Sequence, residues 1–209
     1  MPERLPTKPA QADNGAKPAP ALAALSDDEL LRSLAGGDSQ AFDELFSRHS
    51  GPIYSFLSRL IGGRSDPEDL LQETFLRMIT HAADFKPGMA IRPWLFTIAR
   101  NVALNWMKKT RLRSDLEVQT DLSDWQPRSA PEPVMDPSRR AEVEEDKARV
   151  LAALEQLPPL HREILILTIF NGFSYEEAAA ITGDPESTLR SRVFHALRKL
   201  RERLKEPRG

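Results

Sequence analysis

The stretch FSYEEAAAITGDPESTLRSRVFHALRKL, residues 173–200, predicts two helices joined by a tight turn. Ser174 and Glu177 have the spacing of a capping box, in which each side chain bonds the other residue's free backbone amide at a helix start. Gly183 suits the left-handed residue that ends this helix, and the Asp-Pro pair after it suits the start of the next. The stretch therefore predicts a short helix, a sharp turn and a long final helix over about 185–204.

The final helix carries positive charge on its exposed side, since residues 187–205 contain seven Lys or Arg and one acid. A short helix, a turn and a basic helix match the geometry that places a recognition helix in the major groove of DNA. The alternative is a solvated helix whose basic residues only complement its dipole. The row expected to face inward is Leu189, Val193, Ala196, Leu197, Leu200 and Leu204. The candidate DNA-reading residues are Ser187, Thr188, Arg190, Ser191, Arg192, His195 and Arg198.

Two further helices are expected before this pair. One spans about 139–157 and stops at Pro158-Pro159, and the other spans 160–170. The Asn-Gly pair at 171 closes the second of these, because Gly readily takes the left-handed conformation of a C-cap. The C-terminal part of the chain should therefore contain four helices.

Prolines and composition divide the rest of the chain. Residues 1–25 are rich in Ala and Pro and are predicted to form a disordered tail, since they bury little apolar surface. Residues 114–138 are acidic and Pro-rich, which is typical of a linker between domains. The remaining pieces, 26–113 and 139–205, follow the 3.6-residue apolar period. The sequence predicts an all-α fold of two small helical domains joined by a flexible acidic linker.

Three helices are expected in the first domain. An apolar stripe over 42–60 indicates a helix that should kink or restart near Gly51-Pro52, where the proline removes a backbone donor. The second helix begins with Asp66 as N-cap, and the third begins at Pro93. The second helix is expected to bury Leu70, Leu71, Thr74, Phe75, Met78 and Ile79.

Cations and aromatic residues alternate near the end of the first domain. Residues 86–113 contain seven Lys or Arg and no acid. Single-stranded nucleic acid favours such a mixture, because bases stack on rings while phosphates meet positive charge. The alternative is that Trp94 and Trp106 are ordinary core aromatics. The candidate residues for this surface are Phe85, Lys86, Arg92, Trp94, Arg100, Asn101, Asn105, Lys108 and Lys109.

The helix that follows Asp66 also has a distinct outer face. An exposed Leu among acidic and amide side chains at helical spacing is commonly just a wetted surface, but it can also be a docking face for a helix of another protein. The residues of this face are Asp69, Gln72, Glu73 and Leu76.

Composition excludes several classes of protein. With 29 Lys and Arg against 31 Asp and Glu, the net charge of −2 argues against a general DNA-packing polycation. There is no Cys, so no disulfide, thiolate metal site or thiol nucleophile is possible. The longest nearly apolar stretch, Ile164–Phe170, is too short for a membrane span. The sequence shows no nucleotide-binding loop, zinc-protease motif or nucleophile elbow. We expect a cytoplasmic protein that is not an enzyme and needs no metal or cofactor.

These motifs resemble a bacterial sigma factor of the sigma-70 family, in the small extracytoplasmic-function (ECF) group, over about residues 26–205. Residues 66–77, DPEDLLQETFLR, are similar to the family's region-two helix that docks on the β′ clamp helices of RNA polymerase. Residues 93–101, PWLFTIARN, are similar to the segment that melts and reads the minus-ten promoter element. Residues 173–179 and 187–192 resemble the region-four helix-turn-helix that reads the minus-thirty-five element.

The resemblance implies roles for single residues and a set of partners. Asp69, Gln72 and Glu73 would contact polymerase, and Asn101 and Asn105 would face DNA. The partners would be core RNA polymerase, through its β′ clamp helices and β flap, promoter DNA and an anti-sigma factor, without a small-molecule substrate. The expected function is promoter-specific transcription initiation in a stress or envelope response. A stand-alone helix-turn-helix regulator and an interaction adaptor are the alternatives.

Overall fold

The computed structural model describes residues 22–62, 66–86, 88–114 and 137–205. These residues are helical and contain no strand, which confirms the predicted all-α fold. The predicted linker lies outside the described residues, apart from its ends at Ser114 and Pro137. The described helices are α1 (Asp27–Ala35), α2 (Ser39–Ile61), α3 (Pro67–His81), α4 (Ile91–Ser114), α5 (Pro137–Glu155), α6 (Pro159–Leu165), α7 (Tyr175–Thr182) and α8 (Glu186–Lys205).

Helix α1 was not among the predicted helices, although its start has a clear sequence signal. Ser26 and Glu29 form a capping box, in which the backbone amide of Ser26 donates to the Glu29 carboxylate at 2.8 Å. Leu30 and Leu31 are buried against the other helices of the first domain. The Ser-Asp-Asp-Glu run at 26–29 is the signal that predicts this helix.

The chain just before α1 is held in place by an arginine of α2. The Arg48 guanidinium donates to the carbonyl oxygens of Leu25 at 2.9 Å and Ala23 at 3.0 Å, and it pairs with Asp27 at 2.8 Å. Hydrogen bonds to the carboxylates of Asp27, the largest cause, and Glu44 raise the pKa of Arg48 above its usual value. Residues 22–25, which fall within the predicted tail, are therefore ordered on the domain surface.

Helix α2 runs as one helix through Pro52, so the chain does not restart there, which was one of the two predicted outcomes. Pro52 and Gly51 are exposed, and the core face on both sides of them stays buried, with Leu45 and Ile53 at 0% exposure. A proline inside a helix removes one hydrogen bond. We attribute the continuity of α2 to this buried face, which keeps the helix packed. Gly62 ends the helix in the left-handed conformation, with φ +63°.

Two predictions about the other helices of the first domain need correction. Helix α4 begins at Ile91 rather than Pro93. Ile79 was expected inside but is 42% exposed, because it lies at the edge of the buried stripe of α3 beside the exposed Leu76. The first-domain core is formed by the inner faces of α1 to α4, with Phe56, Phe75 and Phe96 as its largest buried side chains.

The apolar helix predicted over 160–170 changes its winding near its end. It is α-helical to Leu165 and continues as a π-helical turn over Ile166–Phe170. The backbone amide and the side-chain amide of Asn171 both donate to the Ile166 carbonyl, at 3.0 and 2.8 Å. Such wide turns are rare and often lie at functional positions. Phe170, the last residue of this turn, is 38% exposed. Its ring faces the first domain, with the guanidinium carbon of Arg59 in α2 lying 5.0 Å from the ring centroid.

The predicted pair α7 and α8 is present with small differences. Ser174 and Glu177 form the capping box, and Gly183 ends α7 with φ +78°. Helix α8 starts at Glu186, and its Leu189, Val193 and Ala196 are buried, but Leu197 is 42% exposed rather than internal. No helix of the described part of the chain is both long and apolar enough to cross a membrane.

The two domains pack against each other in this structure. Phe96 of α4 and Phe173, just before α7, are buried and their ring centroids lie 4.7 Å apart in an edge-to-face arrangement. The buried Arg162 of α6 donates to the carbonyl of Leu60 at 3.3 Å across the boundary. The buried apolar residues of both domains consequently form one continuous cluster.

We expect Gly183→Ala to lower the free energy of unfolding of the second domain by about 1–2 kcal/mol, since a Cβ at φ +78° strains the backbone while meeting no neighbour. Gly51→Ala, at a helical position where a Cβ also meets no neighbour, should raise the free energy of unfolding of the first domain by about 0.5–1 kcal/mol. Urea unfolding followed by circular dichroism measures both. Shifts of the same sign would contradict the left-handed turn.

Candidate nucleic-acid interface and protein-docking face

The outer face of α3 presents a mixed polar and apolar surface. Asp69 and Gln72 are exposed. Leu76, one helical turn after Gln72 and two turns after Asp69, is 59% exposed. Glu73 pairs with Arg77 at 2.8 Å, an exposed ion pair that costs little to exchange for another partner. The exposed Ile79, which was expected in the core, extends the apolar part of this face. The four predicted docking residues therefore share one accessible face.

Phe85 and Trp94 lie together at the start of α4. Their ring centroids are 5.0 Å apart with an interplanar angle of 59°, and both side chains are half-buried against the first-domain core. The Trp94 ring therefore packs on the core and also keeps an accessible surface, and its contact with nucleic acid stays a prediction. Lys86 is exposed beside this pair, in the loop that ends at α4.

The exposed face of α4 carries a row of amides and cations. Asn101, Asn105, Lys108 and Lys109 are all exposed. Their spacing of three and four residues places the first three of them on one side of the helix. This row can bind a nucleic-acid backbone by hydrogen bonds from amides and by charge from lysines.

Two of the predicted nucleic-acid residues point elsewhere. Arg100 forms an ion pair with Glu163 of α6, with a distance of 2.5 Å between its Nε and the carboxylate Oε1. Arg92 donates to the carbonyl of Asn171, and its guanidinium carbon lies 4.1 Å from the ring centroid of Phe173. Both arginines are thus engaged by the second domain rather than presented with the exposed row.

The outer side of α8 carries the predicted DNA-reading residues. Ser187, Arg190, Ser191 and Arg198 are exposed, whereas the remaining three are half-buried. Arg190 is 60% exposed in its side chain and pairs with Glu186 at 2.9 Å. Its guanidinium carbon also lies 4.4 Å from the ring centroid of Tyr175, a residue that sequence reasoning missed. The half-buried residues are Thr188, Arg192 and His195.

Arg192 of α8 lies near His161 and His195. The Asp184 carboxylate, two residues before α8 begins, accepts hydrogen bonds from the Arg192 guanidinium. Burial lowers the pKa of His161, and the positive charges of Lys199 and Arg192 lower it further.

Residues that sequence reasoning missed lie mostly at the domain contact. Glu163 is 3% exposed and is the only buried carboxylate among the described residues. An Arg-Glu pair inside the apolar run 160–170 was a signal for it, because charges are rarely buried without partners. Asn171 and Phe173 carried no comparable signal, since their contacts depend on how the domains pack.

These features define a two-domain helical protein with a basic helix-turn-helix of the kind that binds DNA. The family model "Sigma-70 region 2" matches residues 45–113, and the model "Sigma-70, region 4" matches residues 147–200. The chain belongs to the sigma-70 family of RNA polymerase sigma factors, in its ECF group. A stand-alone regulator is not favoured, because region 2 accompanies the helix-turn-helix.

Relatives and solved structures agree with this family. The chain is 36% identical to the RNA polymerase sigma factor CarQ of Myxococcus xanthus, over 81% of this chain and 92% of that protein. It is similar to CnrH in complex with the cytosolic domain of CnrY, with a TM-score of 0.60, 28% identity and coverage of 85% and 96%. It is also similar to the sigma factor RpoE in complex with the anti-sigma factor NepR from Bartonella quintana, with a TM-score of 0.65, 29% identity and coverage of 80% and 98%.

Tyr175→Ala is expected to weaken promoter binding by the holoenzyme about threefold, because Arg190 loses the ring that orients it. Tyr175→Phe keeps the ring and is the matched control, for which we expect no change. Fluorescence anisotropy with a duplex that carries the upstream promoter element measures both. Equal affinities of the two variants would show that the ring does not position Arg190.

Proposed function

We propose that this sigma factor binds core RNA polymerase through the outer face of α3 and directs it to a subset of promoters. In this proposal residues 26–113 dock polymerase and open the minus-ten element, and residues 139–205 read the minus-thirty-five element. The observation that carries the proposal is the presence, in one chain, of an accessible docking face and two separate cationic faces.

The docking residues are proposed to contact the β′ clamp helices. Leu76 at 59% exposure supplies apolar area, and the adjacent Asp69 and Glu73 supply charge that selects a basic partner surface. Gln72 adds hydrogen-bonding capacity between them. This combination of an apolar centre with a polar rim is the usual composition of a transient protein interface.

Promoter opening is proposed to use the surface around Phe85 and α4. Unstacking a base step costs a few kcal/mol, which stacking on Trp94 and Phe85 and phosphate contacts to nearby cations would offset. The predicted set on this surface is Phe85, Lys86, Arg92, Trp94, Arg100, Asn101, Asn105, Lys108 and Lys109.

Helix α8 is proposed to lie in the major groove at the minus-thirty-five element. The exposed Arg190 would read a base edge, and Ser187 and Ser191 would hold phosphates. The half-buried Arg192, bound to Asp184, would help to fix the helix on the backbone. The same domain would contact the β flap of polymerase. The full predicted set is Ser187, Thr188, Arg190, Ser191, Arg192, His195 and Arg198.

The proposed activity is binding, and polymerase carries out the bond chemistry. The site of action would be the cytoplasm, where polymerase and promoter DNA meet. We also propose regulation by an anti-sigma factor, supported by the RpoE structure, which contains the anti-sigma factor NepR. Transcription would then respond to release of the sigma factor.

Transcription from a random promoter library tests the proposal directly. Purified core polymerase should yield promoter-dependent transcripts only when this protein is added, because it supplies the promoter-reading surfaces. Sequencing of the transcript ends identifies the shared promoter elements. Tight footprinting of a duplex operator by the protein alone, without transcripts, would contradict the proposal.

Reversal of charge on the docking face tests the role of α3. Asp69→Arg together with Glu73→Arg should weaken binding to core polymerase at least about tenfold, because like charges would face the partner surface. Asp43→Arg, at an exposed aspartate of α2, is the matched control for the single change Asp69→Arg. Gel filtration with core polymerase measures the complexes, and circular dichroism checks the helices. Equal binding by Asp69→Arg and Asp43→Arg would exclude this face.

A further inference from the structure

A cavity of about 770 Å³ lies between α2 and the π-helical turn. Its volume falls within the range of protein sites that hold small molecules, about 300–1,000 Å³. Helix α2 lines it with Phe46, Arg59 and three hydroxyl side chains, and the second domain lines it with Phe170 and Asn171. The hydroxyl side chains belong to Ser50, Tyr54 and Ser55. The cavity therefore brings aromatic, hydroxyl and cationic groups together.

The Arg59 guanidinium lines this cavity without a carboxylate partner among the described residues. Its Nη1 donates to the carbonyl of Ser55 at 3.0 Å, and its Nε is buried without a hydrogen bond. Burial lowers the pKa of Arg59, because the charged guanidinium loses contact with water. A half-buried arginine of this kind is expected to have an anion beside it.

Arg92 of α4 is the second cation of the cavity, and it too lacks an acidic partner in the described part of the chain. It donates to the carbonyl of Asn171, and Arg59 lies over the ring of Phe170. Because Phe170 and Asn171 are consecutive residues, they bring the two guanidinium groups to the same short segment. Phosphate groups bind such arginines strongly, since two N–H donors can meet two oxygens.

The other half-buried arginines of the described ranges already have acidic partners. Glu68 also lines the cavity, but its exposed carboxylate forms no ion pair with Arg59 or Arg92. The two unpaired arginines therefore occur together, in the one place where the structure leaves room for an anion. The existing pairs are Arg48 with Asp27, Arg77 with Glu73, Arg100 with Glu163 and Arg192 with Asp184.

Phe46 offers a ring at the other end of the cavity. It is partly exposed, and contacts with Phe42 and Phe75 hold it, with ring centroids 5.8 and 4.8 Å away. Nucleotide bases stack on such rings whatever their identity. Arg59 follows Phe46 by 13 residues. That spacing is about 20 Å along a helix, and an arginine side chain reaches back toward the helix start. The remaining length suits an extended nucleotide.

We propose that this cavity binds a ribonucleoside diphosphate, with its two phosphates held by Arg59 and Arg92 and its base stacked on Phe46. The hydroxyl groups of Ser50 and Ser55, which lie between the ring and Arg59 along α2, suit the polar ribose. Apart from Arg92, these residues have no part in the proposed polymerase or promoter contacts. The ligand would bind the free chain, without polymerase or DNA.

Isothermal titration calorimetry with the free full-length chain measures binding. The probes are ADP, GDP, CDP and UDP, with inorganic pyrophosphate and adenosine as the two halves of a nucleotide. We expect at least one diphosphate to bind more tightly than either pyrophosphate or adenosine, because only the whole nucleotide engages the arginines and the ring together.

Arg59→Gln tests the phosphate contact. Affinity for the diphosphate should fall at least about tenfold, the change expected from loss of one hydrogen bond to a charged group. Arg32→Gln, at an exposed arginine of α1 outside the cavity, makes the same change in net charge and should leave the affinity unchanged. Arg59→Lys keeps the charge without the forked donors and should give an intermediate affinity. Circular dichroism checks that each variant is folded.

Phe46→Leu tests the stacked base. Leucine keeps an apolar side chain on α2 but removes the aromatic face, so the affinity for the diphosphate should fall about fivefold. Pyrophosphate binding to the same variant should stay unchanged, because pyrophosphate has no base. This comparison within one variant separates loss of stacking from a general change in the cavity.

The outcomes do not depend on the proposed function, since neither polymerase nor DNA is present. The site is overturned if none of the four diphosphates binds, or if Arg59→Gln and Arg32→Gln bind the diphosphate equally. Pyrophosphate binding as tight as that of every diphosphate would overturn the stacked base. A diphosphate that binds more tightly than pyrophosphate, and less tightly to Arg59→Gln and Phe46→Leu, supports the proposal.

Discussion

The edge-to-face contact of Phe96 with Phe173 joins the two halves of this structure. Both rings are buried, at 1% and 4% exposure, so the contact removes them from water and links the cores of two domains. Arg92 lies over both rings, which adds a cation to the apolar contact. The placement of α4 against the second domain, and the partners of its arginines, depend on this pair.

The features that arise from local chemistry could be predicted from the sequence. The capping box at Ser174, the left-handed Gly183 and the Asp66 start of α3 are set by residues within one turn of each other. The continuity of α2 through Pro52, the π-helical turn and the partners of Arg100 depend on packing between distant segments. Sequence periodicity contains no information on such contacts, which explains why the course of α2 at Pro52 was left open and the other two features were not predicted.

The residues of the candidate site also differ in whether the sequence predicts their placement. The exposure of Asp69, Leu76, Asn101 and Asn105 follows from helix periodicity. The orientation of Arg92 and Arg100 does not, because an arginine near a helix edge can turn to solvent or to a neighbouring domain. The positions of the cations in the sequence therefore predict which surface is positive. Only the packed structure shows which of these cations already bind other groups of the protein.

The arginines of α8 show how a nearly neutral chain accommodates a helix rich in positive charge. Arg190 pairs with Glu186, Arg192 with Asp184, and Arg198 lies 3.9 Å from Glu202. Exposed pairs of this kind contribute little, so a correctly placed phosphate or base can replace the acid. The buried pair of Arg100 with Glu163 is different, because exchange there requires the domains to move apart. The pairs on α8 are thus open to an exchange of partners, whereas the Arg100–Glu163 pair is enclosed by the contact between the two domains.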